Sequence, residues 1–580
     1  MRISFFALAL ALASPVAAAP ADDLKTVIDE SWQFFLQANP VYATSLGERR
    51  YDDKVPDPSL AARDAEAAKA NEFVKRLDAI PDAGLSPADR TNKAILRRSL
   101  AEWAEGNRYP QRVMLFTTYS SWPQQFAGMA DGLPFRTRAD YESYLKRLAQ
   151  YPAVNAESLK ITKQAVAGGY VLPCVTLGGL EKSVRGVVVA DPTKSRLYEP
   201  FTRAKPGDMS DADWRAMQSR AGTLVSTTIN PEFTKLADYF RDDYLPKCRK
   251  TVGVSALPQG KDYYAYRVRV ETTTDMTPDQ IHQLGLSEVK RIRAEMEAVS
   301  KKAGYPTREA FIQTLRTDPK YYAKTPEELM SAASRMAKII DGKMPSLFGR
   351  LPRLPYGVKE IPAETAEGTT TAYYMPGSAA SGIAGFYYVN TSKLDQRPLW
   401  ELPALTVHEA VPGHHHQLAL QQELELPDFR KHAAFFTAFV EGWGLYSERL
   451  GIEMGIYDTP EKNMGRLSYE MWRACRLVVD TGLHAKGWTK EQAVAFMTDN
   501  SALSAANIDA EVNRYISWPG QALAYKLGEL KIRALRTKAE KALGTGFSLP
   551  RFHDAVLGQG SVPLDVLEAQ VDGWIAGGGK

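Results

Sequence analysis

The sequence predicts a mostly α-helical protein that contains one small β-sheet. The helical prediction comes from repeated start signals: residues 277–280, "TPDQ", supply an N-cap, a proline at the first helical position and a capping-box glutamine, and similar signals begin at Thr325 and Thr489. The sheet is predicted from residues 381–394, "SGIAGFYYVNTSKL", in which glycines precede a run of aromatic and β-branched residues. At 580 residues the chain is long enough for one large core or for two to three smaller ones.

The N-terminal residues 1–21 have the pattern of a signal peptide. Arg2 precedes an apolar run over residues 3–13, and small residues near Ala18 and Ala21 suit cleavage. The apolar run is shorter than the ~18 residues of a membrane-spanning helix, and no cysteine stands near the cleavage site to accept a lipid. We therefore expect a soluble protein of the periplasm or the extracellular medium, with no membrane anchor.

The loops indicate a division of the mature chain near residue 255. The segment "VGVSALPQGKDYY" at that point and the loop-rich residues 192–207 separate stretches of helical periodicity. We accordingly predict an N-terminal helical part over residues 22–255 and a C-terminal part over residues 256–580, which contains the motifs described below.

Charge and cysteine content exclude several kinds of function. The formal net charge is +4 and both signs are interspersed, so the sequence offers no basic stripe for a nucleic-acid partner. With three cysteines, none in a C-x-x-C pattern, the chain has neither a disulfide framework nor a cysteine-ligated zinc site. One disulfide is allowed in an oxidising compartment, and Cys174 with Cys248 is the pair that we predict.

The stretch "LTVHEAVPGHHHQ", residues 405–417, holds four of the eight histidines. A helical zinc-peptidase motif would read H-E-x-x-H, but its fifth position here is Pro412. In an unbroken helix His415 would lie two turns, roughly 10 Å, from His408, whereas two nitrogens on one zinc ion each lie about 2.0–2.1 Å from it. A regular helix with this spacing therefore cannot bind the metal.

The Pro412-Gly413 pair changes that conclusion because it must distort the helix. Proline removes a backbone donor, and glycine permits unusual backbone angles. Such a local unwinding can bring His414, or as a second choice His415, close to His408. We predict a zinc site at His408 and His414, and a surface histidine run with adventitious metal affinity is the alternative.

A third zinc ligand is expected on a following helix. In "FFTAFVEGWGLYSERL", residues 435–450, Glu441 stands among apolar residues, where a carboxylate needs a partner. Gly442 and Gly444 would let this helix approach the histidines, and Glu448 could either orient a ligand histidine or ligate the metal itself. An ion pair between Glu441 and an arginine is the alternative to ligation.

The predicted strand comes shortly before the histidine run. A strand followed by a helix that bears H-E is the order found in zincin peptidases, where an edge strand hydrogen-bonds the extended substrate. On this interpretation Gly385 and Tyr387 belong to the substrate-binding edge. The alternative is an ordinary buried strand of a small sheet.

Two later motifs supply candidates for binding the substrate and the developing oxyanion. In "RACRLVVDTGLHAKGW", residues 473–488, His484 is either a donor to the oxyanion, oriented by Asp480, or a core histidine bonded to a backbone carbonyl. In "NRYISWPGQALAYKLG", residues 513–528, Tyr515 and Tyr525 are candidate phenol donors. The candidates to receive a peptide carboxylate are Arg473, Arg476 and Arg514.

Together the runs "HEAVPGHHHQ", "EGWGLYSE", "RACRLVVDTGLHAKGWT" and "RYISWPGQALAYKLG" resemble the bacterial family known as domain of unknown function 885, whose pattern runs H-E-x-x-P-G-H-H. The likeness extends over nearly the whole mature chain. It implies a mostly helical, zincin-like fold of the gluzincin type, similar to thimet oligopeptidase and angiotensin-converting enzyme, with a small sheet beside the active-site helix and a cleft between two helical subdomains. His416 departs from the pattern, because the family usually has an apolar or aromatic residue there.

These expectations combine into an exported zinc metallopeptidase that hydrolyses short peptides. Zinc held by His408, His414 and Glu441 would activate a water molecule, with Glu409 as the general base. Two alternatives remain open: an inactive zincin-like protein that binds metal or peptides in the periplasm, and a metal-dependent amidase or esterase that acts on non-peptide substrates. The carboxylate of Glu409 beside His408 favours the enzyme, since metal binding alone needs no base there.

Overall fold

The fold is predominantly helical, as the sequence predicts. The computed structural model describes residues 19–117, 121–362, 366, 369–379 and 382–580. Residues 1–18, and with them most of the predicted signal peptide, lie outside the described part. The α-helices of the described residues are α1 (Pro20–Ala38), α2 (Pro40–Ser45), α3 (Leu60–Ala79), α4 (Pro87–Gly106), α5 (Trp122–Ala127), α6 (Arg138–Ala149), α7 (Tyr151–Ala167), α8 (Leu180–Arg185), α9 (Asp211–Leu224), α10 (Asn230–Tyr239), α11 (Gly260–Thr272), α12 (Pro278–Lys302), α13 (Arg308–Thr317), α14 (Pro326–Asp341), α15 (Leu402–Glu409), α16 (His414–Glu423), α17 (Asp428–His432), α18 (Thr437–Leu450), α19 (Pro460–Ala485), α20 (Lys490–Asn500), α21 (Ala505–Ser517), α22 (Ala524–Leu543), α23 (Leu549–Leu557) and α24 (Leu564–Ala576). The strands are β1 (Tyr356–Glu360), β2 (Ala372–Met375) and β3 (Gly385–Val389).

The three helix starts predicted from threonine N-caps are confirmed. The side chains of Thr277, Thr325 and Thr489 each accept a hydrogen bond from the backbone N–H three residues later. At Thr277 and Thr489 the glutamine of the capping box also accepts from the N-cap N–H, whereas at Thr325 the Glu328 carboxylate accepts from the N–H of Lys324 instead. These local bonds satisfy donors that the first turn leaves free, which fixes where α12, α14 and α20 begin.

The sheet has three strands in the order β1-β3-β2. The predicted strand is confirmed at β3, which pairs parallel with β1 and antiparallel with β2. The expectation that this strand forms a substrate-binding edge is wrong, because β1 and β2 bond to both of its sides. Tyr387 is fully buried, and a Cβ atom at Gly385 would lie 2.9 Å from Nδ1 of His415. Gly385 and Tyr387 therefore belong to the interior of the sheet, and among the described residues β1 and β2 are its edge strands.

The hydrophobic core has three large parts, and they do not follow chain order. One joins buried side chains of residues 24–104 to those of residues 340–571. A second lies within residues 116–244. A third lies within residues 252–522 and includes side chains of the sheet. The first helices of the chain thus share a core with the last ones, and the division at residue 255 stays a prediction.

Cys174 and Cys248 form a disulfide, as predicted, and Cys475 is a buried free thiol. The N–H of Cys174 also donates to the carbonyl of Arg249 at 2.9 Å, so the two loops pair through their backbones as well. None of the described helices combines the length and apolarity that crossing a membrane would require.

Candidate metal centre

The helix that carries the first histidine ends one residue after it, as the Pro-Gly pair predicts. All residues of α15 are buried, and Ala410 leaves the helical conformation at φ −93° and ψ −115°. The N–H of Gly413 then donates to the carbonyl of Val407 at 2.9 Å, and α16 starts at His414. A Cβ atom at residue 413 would lie 1.9 Å from the carbonyl oxygen of His408, so only glycine lets the turn close this tightly.

The interruption brings His414 beside His408, and α18 adds Glu441 to them. Oε2 of Glu441 lies 3.6 Å from Nε2 of His408 and 3.4 Å from Nε2 of His414. The two imidazole rings are nearly perpendicular, with centroids 4.7 Å apart. Each of the three residues offers one ligand atom, and these atoms all lie within 4.8 Å of one another. Among the described residues no other group of three potential ligands is this close together. The structure therefore brings the three predicted ligands together.

The spacing of these atoms suits a tetrahedral metal ion. A zinc ion bound about 2.0–2.1 Å from each ligand holds its ligand atoms about 3.4 Å apart, which is close to the two distances measured from Glu441. Oε2 of Glu441 and Nδ1 of His414 are buried and have no hydrogen-bond partner within the described part of the chain. Two imidazole nitrogens and one carboxylate oxygen are a donor set typical of zinc sites that keep one position open for water or substrate.

Glu448, one of the two alternative ligands, lies on the other side of His408. Its Oε1 is 2.8 Å from Nδ1 of His408 and 3.2 Å from Nη2 of Arg473. A carboxylate at this nitrogen fixes the orientation of the ring and leaves Nε2 facing the cluster. The geometry therefore gives Glu448 a positioning role and not that of a ligand.

The pKa values of His408 and Glu441 are shifted by the other groups of the cluster. Burial by itself would lower the pKa of His408, but the carboxylates of Glu441 and Glu448 outweigh it and raise that pKa to about 9. Burial would likewise raise the pKa of Glu441, but the neighbouring His414 and His408 hold it well below its ordinary value. A cation bound between these groups would take the place of the proton on His408, so metal binding is linked to proton release.

A close helix approach completes the centre. A Cβ atom at Gly444 of α18 would lie 2.8 Å from the His408 ring, so this glycine allows α18 to reach α15 as predicted. Gly442 has a different role from the expected one, because a Cβ atom at this position would lie 2.5 Å from the Cα atom of Gly528 in α22. The glycines of "EGWGL" therefore set the distance of α18 to two different helices.

A cavity of about 260 Å³ opens beside the cluster. Glu409 is 9% exposed and lies in its wall next to His408. The ring of Tyr525 is nearly parallel to that of His408, with a centroid distance of 6.3 Å, and its hydroxyl accepts a hydrogen bond from Gln521 at 3.4 Å. The other residues of the cavity wall are Thr370, Ala372, Tyr373, Tyr374, Trp472, Arg473, Arg476, Glu511 and Arg514.

The three arginines predicted to contact substrate all line this cavity, but their partners differ. Arg473 pairs with Glu448 at 3.2 Å. Arg476 and Arg514 both pair with Glu511, at 2.9 Å and 2.8 Å. The structure thus divides the three arginines into one that pairs with the carboxylate behind His408 and two that share Glu511.

Residues 40–571 match the family model of the bacterial proteins of unknown function called DUF885. The chain belongs to the DUF885 family. Two solved structures are similar to this DUF885 protein. One is a "putative lipoprotein" from Colwellia psychrerythraea, with 27% identity, a TM-score of 0.89, and 97% of this chain and 100% of the other covered. The second, a "putative lipoprotein of unknown function" from Shewanella oneidensis, has 20% identity, a TM-score of 0.74, and 95% and 99% coverage, and it shows likeness of fold alone. No curated protein is similar enough to this chain to count as a match.

Two residues of this DUF885 protein that were predicted to be catalytic, His484 and Tyr515, do not line the cavity. His484 is fully buried, its Nδ1 accepts from the N–H of Val254 at 3.1 Å, and its Nε2 donates to the carbonyl of Tyr515 at 2.9 Å. His484 is therefore a core histidine bonded to the backbone, the alternative that the sequence left open. Asp480 does not orient it, because that carboxylate accepts from Tyr264 at 2.6 Å.

Tyr515 stands behind the cavity wall. Its hydroxyl accepts hydrogen bonds from Nε1 of Trp472 at 2.8 Å and from Nε of Arg476 at 2.9 Å. This DUF885 protein therefore uses Tyr515 to hold Arg476, and Tyr525 is the phenol that faces the metal cluster.

The remaining histidines of the run point away from the centre. His415, the alternative ligand, contacts the Tyr374 hydroxyl at 2.9 Å and the carbonyl of Leu354 at 3.0 Å. His416 is fully buried against the ring of Phe348, with centroids 4.4 Å apart, and burial lowers its pKa to about 3.

Sequence reasoning missed four parts of the cavity wall. These are Thr370, the strand β2, Trp472 and Glu511. The run "TAYYM" before Pro376 is short and aromatic, which is a weak strand signal. Trp472 and Glu511 stand within ordinary amphipathic helices, where nothing in the local pattern distinguishes a cavity residue from a core residue.

Proposed function

We propose that this DUF885 protein is an exported, zinc-dependent hydrolase with a zincin-like centre that cuts peptide bonds in short peptides. The observation that supports it most is the spacing of His408, His414 and Glu441 at a distance suited to one tetrahedral ion. A base and a phenol donor face the same cavity, which a simple metal store would not need.

The side chains around the cavity have different roles in the proposed reaction. Zinc bound by His408, His414 and Glu441 would supply an activated water and polarise the scissile carbonyl. Glu409 accepts the proton of the attacking water and passes it to the leaving amine. The hydroxyl of Tyr525 donates to the oxyanion that develops on the carbonyl oxygen.

The strand β2 is suited to hold the substrate backbone. Ala372, Tyr373 and Tyr374 line the cavity, and among the described residues β2 pairs with a strand on one side only, which is β3. An extended peptide can therefore add to the free side as a further strand. The edge strand expected from the sequence is thus retained in the proposal, but β2 replaces β3.

Export is proposed from the signal-peptide pattern of residues 1–21 and from the similar protein of Colwellia psychrerythraea, which is described as a "putative lipoprotein". This chain has no cysteine near the predicted cleavage site, so we propose a soluble periplasmic or secreted form. The Cys174–Cys248 disulfide agrees with an oxidising compartment.

The same centre is compatible with an amidase or esterase that acts on non-peptide substrates. Metal analysis of the purified protein, combined with a screen of short peptides that have free and blocked ends, tests the proposal. Stoichiometric zinc without turnover of any peptide would favour the binding protein or the non-peptide hydrolase instead.

Glu409→Gln is the decisive variant in that screen. It keeps the size of the side chain but cannot accept the proton, so we expect zinc to remain bound and kcat to fall about 10²- to 10⁴-fold. Glu425→Gln, at an exposed position beyond α16, is the matched control and should leave both quantities unchanged. Full activity of Glu409→Gln with zinc retained rejects the mechanism, and loss of zinc would mean that Glu409 supports a ligand.

A further inference from the structure

One part of the cavity wall, formed by Arg476, Arg514 and Glu511, has two positive charges and one negative charge. Nη2 of Arg476 and Nη2 of Arg514 lie 2.9 Å and 2.8 Å from the same atom, Oε2 of Glu511. Arg514 also donates to the neutral side chain of Gln521 at 2.6 Å. Within the described residues no second carboxylate pairs with either arginine. The two arginines therefore leave one positive charge uncompensated beside the cavity.

Arg476 also has a donor left over. Its Nε donates to the Tyr515 hydroxyl and its Nη2 to Glu511, both at 2.9 Å. The side chain is only 3% exposed, and its Nη1 is buried and meets no hydrogen-bond partner in the part of the chain that the structure describes. A buried charged donor without a partner is costly. Because Nη1 has almost no exposed surface, a carboxylate in the cavity would offset this cost through its charge and not through a direct bond to Nη1.

Aromatic rings hold Arg476 in place before any ligand arrives. Its guanidinium carbon lies 4.4 Å from the ring centre of Trp472 and 4.3 Å from that of Tyr525. Stacking on both rings, together with the bond to Tyr515, limits the conformations of the side chain. A fixed guanidinium loses little entropy when it binds a carboxylate, so it can contribute to affinity.

Arg473 differs from Arg476 in its charge balance. Its Nε is also buried without a partner among the described residues, and its guanidinium carbon lies 4.3 Å from the ring centre of Trp472. Its Nη2 pairs with Glu448 at 3.2 Å, and its Nη1 donates to the carbonyl of Tyr469 at 3.3 Å. The charge of Arg473 is therefore balanced by a carboxylate that already serves His408. Of the three arginines named from the sequence, Arg476 and Arg514 are the ones that have charge to offer a ligand.

The distance between this pair and the metal cluster is short. The ring of Tyr525 is close to both: its centre lies 4.3 Å from the guanidinium carbon of Arg476 and 6.3 Å from the centre of the His408 ring. The cavity, about 260 Å³, is smaller than the roughly 300–1,000 Å³ of pockets that take drug-sized ligands. A substrate with its scissile carbonyl at the metal thus has room for only a short segment before it reaches the arginines.

We propose that Arg476 and Arg514 bind the terminal carboxylate of the substrate, so that the enzyme releases a short C-terminal fragment from peptides with a free C-terminus. This inference rests on the proposed function for the cleavage step and on the arginine geometry for the binding step. In the reaction the water oxygen bonds to the carbonyl carbon and the C–N bond breaks. The leaving amine takes the proton, and the fragment departs with its carboxylate.

Binding, which does not require turnover, tests the subsite. Zinc-loaded protein carrying Glu409→Gln is titrated by calorimetry with acetyl-Ala-Ala-Ala, with its C-terminal amide, and with acetyl-Ala-Asp-Ala amide. We expect the free acid to bind about 10- to 100-fold more tightly than either amide. Equal binding of the free acid and its simple amide overturns the proposal. Equal binding of the free acid and the aspartyl peptide also overturns it, since the subsite would then select an acidic side chain.

Variants locate the carboxylate. Arg476→Gln and Arg514→Gln should each remove most of the preference for the free acid, whereas Arg220→Gln, an exposed arginine paired with Glu142, should keep it. Glu511→Gln adds to the uncompensated charge and should strengthen the preference, provided that zinc content and circular dichroism show an intact fold. A preference that survives both arginine variants but disappears when zinc is removed would place the carboxylate on the metal and overturn the proposal.

The proposed function and the subsite fail in different ways. If the protein prefers the free acid through Arg476 but cuts no peptide, the subsite is supported and the proposed hydrolase activity is refuted. If it cuts free and amidated peptides with equal kcat/KM, the hydrolase activity is supported and the subsite is refuted.

Discussion

Replacement of Glu448 by glutamine tests whether the metal centre depends on the group behind His408. Oε1 of Glu448 lies 2.8 Å from Nδ1 of His408, where a carboxylate fixes the ring and raises the basicity of Nε2. Glutamine keeps the shape and loses the charge. We expect zinc affinity to fall about 10- to 100-fold, or about 1.4–2.7 kcal/mol. The fold should lose some stability as well, because Arg473 would lose its charged partner at 3.2 Å.

The assay is competition for zinc between the protein and a chelator of known affinity at constant pH, with Glu425→Gln as the exposed control. A second pair of proteins carries His408→Ala, and because this change removes a ligand, the weaker zinc binding of that pair is measured against a chelator of correspondingly lower affinity. If Glu448 acts through His408, Glu448→Gln causes no further loss of affinity in that background. Unchanged affinity in Glu448→Gln alone, or an equal loss with and without His408, would refute the positioning role.

Four other changes test the centre and the fold. Glu441→Ala should abolish stoichiometric zinc, as metal analysis would show, because it removes one of three ligands; retained zinc would contradict the assignment. His416→Leu should raise the free energy of unfolding in urea by about 1–3 kcal/mol, since both ring nitrogens are buried without partners among the described residues; destabilisation would show an unrecognised polar contact. Reduction of Cys174–Cys248, 74 residues apart, should cost about 4 kcal/mol of unfolding free energy by the loop-entropy argument, and a cost below about 1 kcal/mol would contradict it. Burial lowers the pKa of His484 to about 4, whereas the unfolded chain takes up that proton near pH 6.5. Its contribution to stability is therefore present above pH 6.5 and falls as the pH drops toward about 4. His484→Gln should remove that part of the acid sensitivity in urea titrations at stepped pH, and an unchanged pH profile would count against the buried neutral form.

The parts of the fold that depend on local chemistry could be predicted from the sequence. The N-caps at Thr277 and Thr489 use bonds within four residues, so their pattern is complete in the sequence. The break after Glu409 follows from Pro412 and Gly413 for the same reason. Glu441 stood out because a carboxylate amid apolar residues needs a partner, wherever that partner comes from.

The parts of the fold and of the site that depend on distant chain segments could not be predicted from the sequence. Whether β3 is an edge strand depends on β1, which lies outside the motif, and the pairing of both its sides was not visible in "GFYYV". His484 has the same local sequence whether it faces a cavity or a backbone carbonyl, and Val254 and Tyr515 decide between them. The division of the arginines also depends on Glu511, a residue of another helix.

The core shared by residues 24–104 and residues 340–571 affects the order in which the chain can fold. The first helices leave the ribosome long before their partners are made, and contacts of such sequence separation form slowly because loop closure comes before any gain in packing. Residues 116–244, whose core is local, can fold earlier. If the protein is exported as proposed, this delay keeps its leading segment extended during synthesis, which is the state that threading through a membrane channel requires.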